Sequence, residues 1–154
     1  MLQLKRVQDE DLVLLTNIKK RAFAEEFKKY GFIPEDMISL EWHKEMSHKS
    51  IYYSIYNGET IIGGVNIFKG NKNQYYLCSL FIDAEHQNRG LGKQVMTLLE
   101  EMHDDSKKWG LETPSMSTQN HHFYEKCGYK HVSDMTPNGA PEGFSLRVYE
   151  KLMD

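Results

Sequence analysis

His86-Gln87-Asn88-Arg89-Gly90-Leu91-Gly92-Lys93 decides how this chain is read. It follows an apolar, strand-like run, Tyr75 to Ile82. It opens a stretch in which Leu91, Val95, Leu98, Leu99 and Met102 recur at the three- and four-residue spacing of one helix face. The order is therefore strand, tight loop, helix N-terminus. Such a terminus offers backbone N–H groups with no partner in the helix and a partial positive charge. Glycines at 90 and 92 let an anion come close to the backbone. Phosphate suits that geometry, and Arg89 and Lys93 add cations beside it.

Spacing separates this loop from other phosphate motifs. A P-loop needs glycine, four residues, then Gly-Lys-Ser/Thr; here Gly92-Lys93 is followed by Gln94, and Gln87 stands where the first glycine belongs. The dinucleotide fingerprint needs a third glycine where Val95 stands. What remains, Gln-x-x-Gly-x-Gly after a strand and before a helix, resembles the pyrophosphate loop of the GCN5-related N-acetyltransferases. About thirty residues on, Phe123-Tyr124-Glu125-Lys126-Cys127-Gly128-Tyr129 is similar to the same family's second signature, a short helix ending at a glycine. The resemblance covers Tyr75 to Tyr129 well. The first seventy residues share only the pattern of elements.

Composition agrees with one enzyme domain spanning residues 1–154. That length buries a real core. No apolar run approaches the roughly 20 residues a membrane span needs, and Met1-Leu2-Gln3-Leu4-Lys5-Arg6 lacks a signal peptide's apolar stretch. A net charge of −3 gives no electrostatic case for nucleic acid. Cys78 and Cys127 form no metal-spaced set and read as free thiols of a cytoplasmic protein.

The patterning predicts a strand over 2–7, then a helix from an Asp9 N-cap to about Lys29, ended by Gly31. A second helix runs from Pro34 to about His48. A hairpin, 51–56 and 60–68, turns at Asn57-Gly58. A strand spans 74–82, and a long helix runs from about Gly90 to Trp109, stopped by Gly110. A strand over 111–117, a short helix over 120–127, and strands over 129–134 and 144–151 follow. This order is that of the resembled family. It implies an α+β fold: a twisted mixed sheet of about seven strands with helices on both faces.

The resemblance implies transfer of an acetyl group from acetyl-CoA to a primary amine of a small molecule or peptide, by direct attack on the thioester. The pyrophosphate would sit on Gln87, Asn88, Arg89, Gly90, Leu91, Gly92 and Lys93, with the Gln87 side chain orienting the loop. In the family the strand before the loop splays from its neighbour, which assigns Leu80, Phe81 and Ile82 to the pantetheine arm and, through Ile82, to the acetyl oxygen. An N–H aimed at a developing oxyanion contributes a few kcal/mol. Tyr124 is the expected general acid, since a phenol is protonated at neutral pH and can donate to the departing thiolate. Ser117 stands where many members carry asparagine, so that role is not carried to Asn120; Ser117 or Thr118 reads as an N-cap.

A base is also needed. Glu25, Glu26, Asp83, Glu85 and His86 are the candidates, with Glu26 at the continuation of the first helix's Leu15, Ile18, Ala22 stripe and placed to meet an ammonium. His121-His122 near Cys127 is no metal site, because neighbouring helix residues diverge by about 100°. Trp42, with Ile38 and Met46, reads as core. Dimers are common in the resembled family, which makes a homodimer possible, with Phe144 to Lys151 as its candidate seam; the sequence does not fix the oligomeric state. A non-catalytic acyl-CoA-binding domain of the same fold would keep Gln87 to Lys93 but need no acid at 124. An interaction domain would bind no coenzyme at all.

Overall fold

The computed structural model describes residues 1–30 and 39–154, the side chains of residues 25–27, 29 and 30 excepted. The elements run β1 (Leu2–Arg6), α1 (Leu12–Tyr30), α2 (Leu40–Lys49), β2 (Ile51–Asn57), β3 (Thr60–Lys69), β4 (Gln74–Ile82), α3 (Leu91–Met102), β5 (Lys108–Pro114), α4 (Thr118–Lys126), β6 (Lys130–Met135) and β7 (Leu146–Leu152). The strands form one mixed seven-stranded sheet in the order β1-β2-β3-β4-β5-β7-β6. Every described pair is antiparallel except β4 with β5.

Strand alternation sorts the core into two layers. On one face Tyr53, Ile55, Val65, Ile67, Tyr75, Leu77, Trp109 and Leu111 pack against Val95, Met96 and Leu99 of α3. On the other, Tyr52 and Phe81 pack against Leu15 and Ile18 of α1, with Trp42 and Met46 of α2 at the margin, so Trp42 is core as its spacing implied.

Several boundaries differ from the sequence reading for local reasons. Gln8, not Asp9, precedes the first turn; the Asp11 carboxylate accepts from the Gln8 N–H at 3.2 Å. Pro34 and Ile38 lie outside the described residues. The described part of the second helix starts at Leu40, where the Ser39 hydroxyl accepts from the Trp42 N–H at 3.1 Å. The hairpin turn is Gly58-Glu59, because Asn57 already pairs with Thr60. The long helix stops at Met102, so Trp109 is a strand residue paired with Tyr75 and stacked on its ring at 4.9 Å. Gly110 belongs to β5, where the Tyr76 ring takes the space of a side chain. The C-terminal strand β7 lies between β5 and β6 and is no sheet edge; the edges are β1 and β6, the latter exposed along its whole length.

The α1–α2 layer carries buried, ionisable polar groups. Lys19 lies on the inward stripe of α1 and is fully buried, its ammonium 3.6 Å from the Trp42 ring centroid. His43 is fully buried beside it, its Nδ1 2.7 Å from the Tyr52 hydroxyl. Lys19 Nζ, His43 Nε2, Ser54 Oγ and Ser79 Oγ are buried without a hydrogen-bond partner. Desolvation pulls the pKa of Lys19 down to about 7, and burial with the nearby Lys19 charge pulls His43 down to about 3.

Lys19 therefore loses affinity for its proton on folding. The unfolded chain holds that proton up to the ordinary lysine range, so this group's contribution to stability rises with pH above about 7. Lys19→Met removes the buried charge and places a thioether among aromatic rings. Thermal melts are expected to show the variant roughly 3–8 °C above wild type at pH 7, with the gap narrowing towards pH 10.

Candidate active site

The parallel pairing of β4 with β5 covers Gln74–Leu77 against Lys108–Leu111 and then ends. A bulge on β4 marks its end. The register of β3 against β4 slips between Asn66 and Ile67, which leaves Cys78 as the extra residue of a β-bulge on β4. Such a bulge bends its strand and breaks the ladder locally. Beyond Leu111, β5 continues against β7 and not β4. A gap opens between Cys78–Ile82 on one side and Glu112–Pro114 on the other.

Alternation decides which backbone groups face that gap. The Asp83 N–H donates to the Ile62 carbonyl of β3 at 2.7 Å, and the Phe81 carbonyl lies against Gly63 of β3. Leu80 and Ile82 therefore turn the other way, into the gap. Phe81 does not: its backbone serves β3 and its ring is buried in the α1–α2 layer. The expectation that Phe81 contributes with its neighbours is corrected on this ground. Gln87 Nε2 donates to the Ile82 carbonyl at 2.8 Å, so the glutamine fastens the loop to the end of β4, as its place in the motif implied.

From Gln87 the chain passes Asn88 at φ 64° and Gly90 at φ 75°, two left-handed residues that reverse it into α3. The first helical bond runs from the Gln94 N–H to the Gly90 carbonyl at 3.4 Å, which leaves the Leu91, Gly92 and Lys93 N–H groups at the helix start. No side chain caps them and no acidic residue stands in the first turn. Space around Gly90 Cα is open, so an anion can reach the backbone there. Gly92 serves packing instead. A Cβ on it would come within 3.0 Å of the Phe123 ring, so its bareness lets α4 pack on α3. Arg89 and Lys93 are exposed and in no ion pair among the described residues.

Helix α4 is tied to the far end of β5. Asn120 Nδ2 donates to Thr113 Oγ1 at 3.1 Å, and the buried His121 places Nε2 3.0 Å from the Pro114 carbonyl. His121 is thus a packing residue. Among the described residues no group of His, Cys, Asp or Glu is placed to hold a metal ion. Ser117 takes the N-cap position without a side-chain bond. Tyr124 is half-buried on this helix, its ring among Phe123, Tyr129 and Tyr149.

The candidate bases disperse. The side chains of Glu25 and Glu26 lie outside the described residues. Asp83 forms a forked ion pair with Arg21, at 2.9 Å and 3.3 Å, and that guanidinium holds its carboxyl below the usual range. Glu85 is exposed, and His86 is half-buried with Nδ1 unpartnered. The residue that sequence reasoning missed is Glu112. It is the first residue of β5 past the last rung with β4. Trp109, Leu111 and Thr113 face the α3–α4 layer, so Glu112 faces the other side with Cys78 and Tyr76. It is exposed, with no ion pair or hydrogen bond among the described residues, and its charge reaches the Cys78 thiol. No local sequence signal marks it; only the end of the ladder does.

A strand that parts from its neighbour beside an uncapped, glycine-led helix start defines a coenzyme-A-dependent acyltransferase. Residues 13–129 match the acetyltransferase (GNAT) family model, and the chain belongs to that family. No curated protein matches it. Among solved structures, PaiA N-acetyltransferase from Thermoplasma acidophilum in complex with coenzyme A is 17% identical, covers 99% of both chains and has a TM-score of 0.75. The ribosomal-protein-S18-alanine N-acetyltransferase from Escherichia coli is 14% identical over 99% of this chain and 94% of its own, at a TM-score of 0.78. Spermidine N-acetyltransferase from Vibrio cholerae in complex with CoA and spermine is 16% identical over 98% and 95%, at a TM-score of 0.78.

Gly90→Asp sets a carboxylate where the helix start meets an anion and strains a φ of 75°. Calorimetry is expected to show acetyl-CoA affinity falling at least about 100-fold in a variant that still melts cooperatively. Wild-type affinity in that variant would remove the loop from the coenzyme site.

Proposed function

We propose that this protein transfers an acetyl group from acetyl-CoA to a primary amine of a small molecule or peptide, by direct attack within the β4–β5 gap. One observation carries the reading. The ladder ends at Leu77 and Leu111, which turns the Leu80 and Ile82 backbones into the gap and leaves Glu112 unpaired at its mouth.

Bound acetyl-CoA supplies a thioester carbonyl and a thiol leaving group. The helix start at Leu91, Gly92 and Lys93, with Asn88, Arg89 and Gly90, holds its pyrophosphate. The Leu80 and Ile82 N–H groups hold the arm and polarise the carbonyl; being fixed in a strand, they need no reorganisation as charge develops. Tyr124 gives its phenolic proton to the leaving sulfur. Glu112 pairs with the acceptor's ammonium and sets its nitrogen at the gap, from the side opposite α3 and α4. An alkylamine is cationic at neutral pH, so an unpaired carboxylate at the mouth is the complementary charge.

Among the described residues no helix is long and apolar enough to cross a membrane. Both cysteines are free, which fits a reducing compartment such as the cytoplasm. The solved neighbours include one named for spermidine and one for a protein's alanine, so both kinds of amine are reasonable acceptors to test.

The test is CoA release with spermidine and with an alanine-initiated peptide. Tyr124→Phe is expected to lower kcat by about 100-fold with acetyl-CoA affinity unchanged. Glu112→Gln is expected to raise KM for the amine by about tenfold with a smaller effect on acetyl-CoA. Unchanged kcat in the first variant would end the acid assignment, and unchanged KM in the second would end the ammonium assignment.

A further inference from the structure

Glu112 has no charged residue at the adjoining positions of its face, and those neighbours define an acceptor more narrowly than the carboxylate does. Strand register names them. Tyr76 pairs with Gly110, the same-face neighbour of Glu112 on β5, and its ring comes within 3.1 Å of where a Gly110 Cβ would stand. Tyr76 is still 48% exposed, so ring area remains open to solvent. Val148 of β7 pairs directly with Glu112, and Leu146 with Pro114, the next position on that face. Both aliphatic residues are half-buried. On the β4 side Cys78 follows Leu77 as Glu112 follows Leu111. The carboxylate is thus collared by a ring, aliphatic groups and a thiol. The α1–α2 cluster draws its strand residues from β2, β3 and β4, so among the described residues β5, β7 and β6 are open on this side.

The remaining charges on this face neutralise one another. Glu150, which pairs with Gly110, accepts from Lys108 Nζ at 3.1 Å, and Lys130 of β6 stands opposite Glu150. Arg147, Lys151, His131 and Asp134 belong to the other face, with Tyr149. Once Glu112 holds one cation, a second finds no carboxylate here without a lysine beside it.

We propose that the acceptor carries a single ammonium on an apolar body, as a monoamine or an apolar peptide N-terminus does, and that Tyr76 and Val148 select it. Glu112 takes the ammonium, and the Tyr76 ring and Val148 take the carbons next to it. A ring beside a carboxylate suits both parts of such an amine, through apolar contact with the body and the attraction of the ring face for the cation. A polyamine fits worse. Its second ammonium lies over apolar positions or reaches Glu150, where Lys108 already occupies the carboxylate and Lys130 repels. Specificity of this kind comes as much from the unpaired charge of the rejected ligand as from contacts to the accepted one.

This inference rests on the acetyltransferase reading, and the experiment separates the two. CoA release is measured with two matched pairs of acceptors: phenethylamine against spermidine, and an Ala-Leu-Phe amide against an Ala-Lys-Lys amide. Wild type is expected to favour the apolar member of whichever pair it turns over by at least about fivefold in kcat/KM. Val148→Glu supplies a second carboxylate beside Glu112 and is expected to lower that ratio about fivefold, with acetyl-CoA affinity and melting temperature close to wild type. Tyr76→Ala is expected to lower kcat/KM for the apolar member about fivefold and to change the cationic member less. Equal or reversed preference in an active wild type overturns the inference and leaves the acetyltransferase reading intact. So does a ratio unmoved in either folded variant. A Val148→Glu ratio equal to wild type, with sedimentation passing from dimer to monomer, assigns this face to a second copy and overturns the inference as well. A wild type that binds acetyl-CoA but releases no CoA with any of these amines overturns both readings.

Discussion

The length of one parallel ladder governs this molecule. β4 and β5 pair from Gln74 to Leu77 and no further, held there by the stacked Tyr75 and Trp109 rings and by the Tyr76 ring over Gly110. A parallel pair hydrogen-bonded to its end would satisfy every inward backbone group and leave nothing for a ligand. The bulge at Cys78 marks where it stops. The backbone of Leu80 and Ile82 is left facing the opening, and the loop, α3 and α4 are arranged around it.

The two faces of the sheet divide the work. The α3–α4 side carries the larger hydrophobic cluster and presents the uncapped start of α3. Phe123 against Gly92 and the Asn120 and His121 bonds to β5 fix α4 across the opening. The α1–α2 side keeps a polar layer, with Lys19, His43 and Ser79 below and Glu112 at the rim. A layer of this kind costs stability through desolvation and unpartnered donors.

Elements whose signals are local are legible in the chain. The strand from Gln74 to Ile82 agrees with the sequence pattern to the residue, and Gln87 does fasten the loop it belongs to, because glycines and a strand–helix junction within eight residues leave few conformations. Trp109 reads as helical from sequence because an apolar residue at helical spacing from Met102 fits that face. His103 leaves the helical conformation and the ring finds Tyr75 instead, a contact between distant stretches that no local window contains. Gly110 reads as a stop signal for the same reason, although a ring above it is what requires the glycine. Phe81 groups with Leu80 and Ile82 in sequence because all three are apolar. Only the register with β3 shows that the middle one faces away.

The sequence by itself determined the family, the order of elements and the glycine-led junction from Gln87 to Lys93, since those rest on residue types at fixed spacing along a continuous stretch. The tertiary structure decided where the β4–β5 ladder ends, and with it which backbone groups face the gap, why Glu112 stands just past the last rung and why Lys19 is buried against Trp42. Those relations join residues dozens of positions apart through strand register and burial, and a register is a property of two chains of backbone in space, which neither chain carries alone.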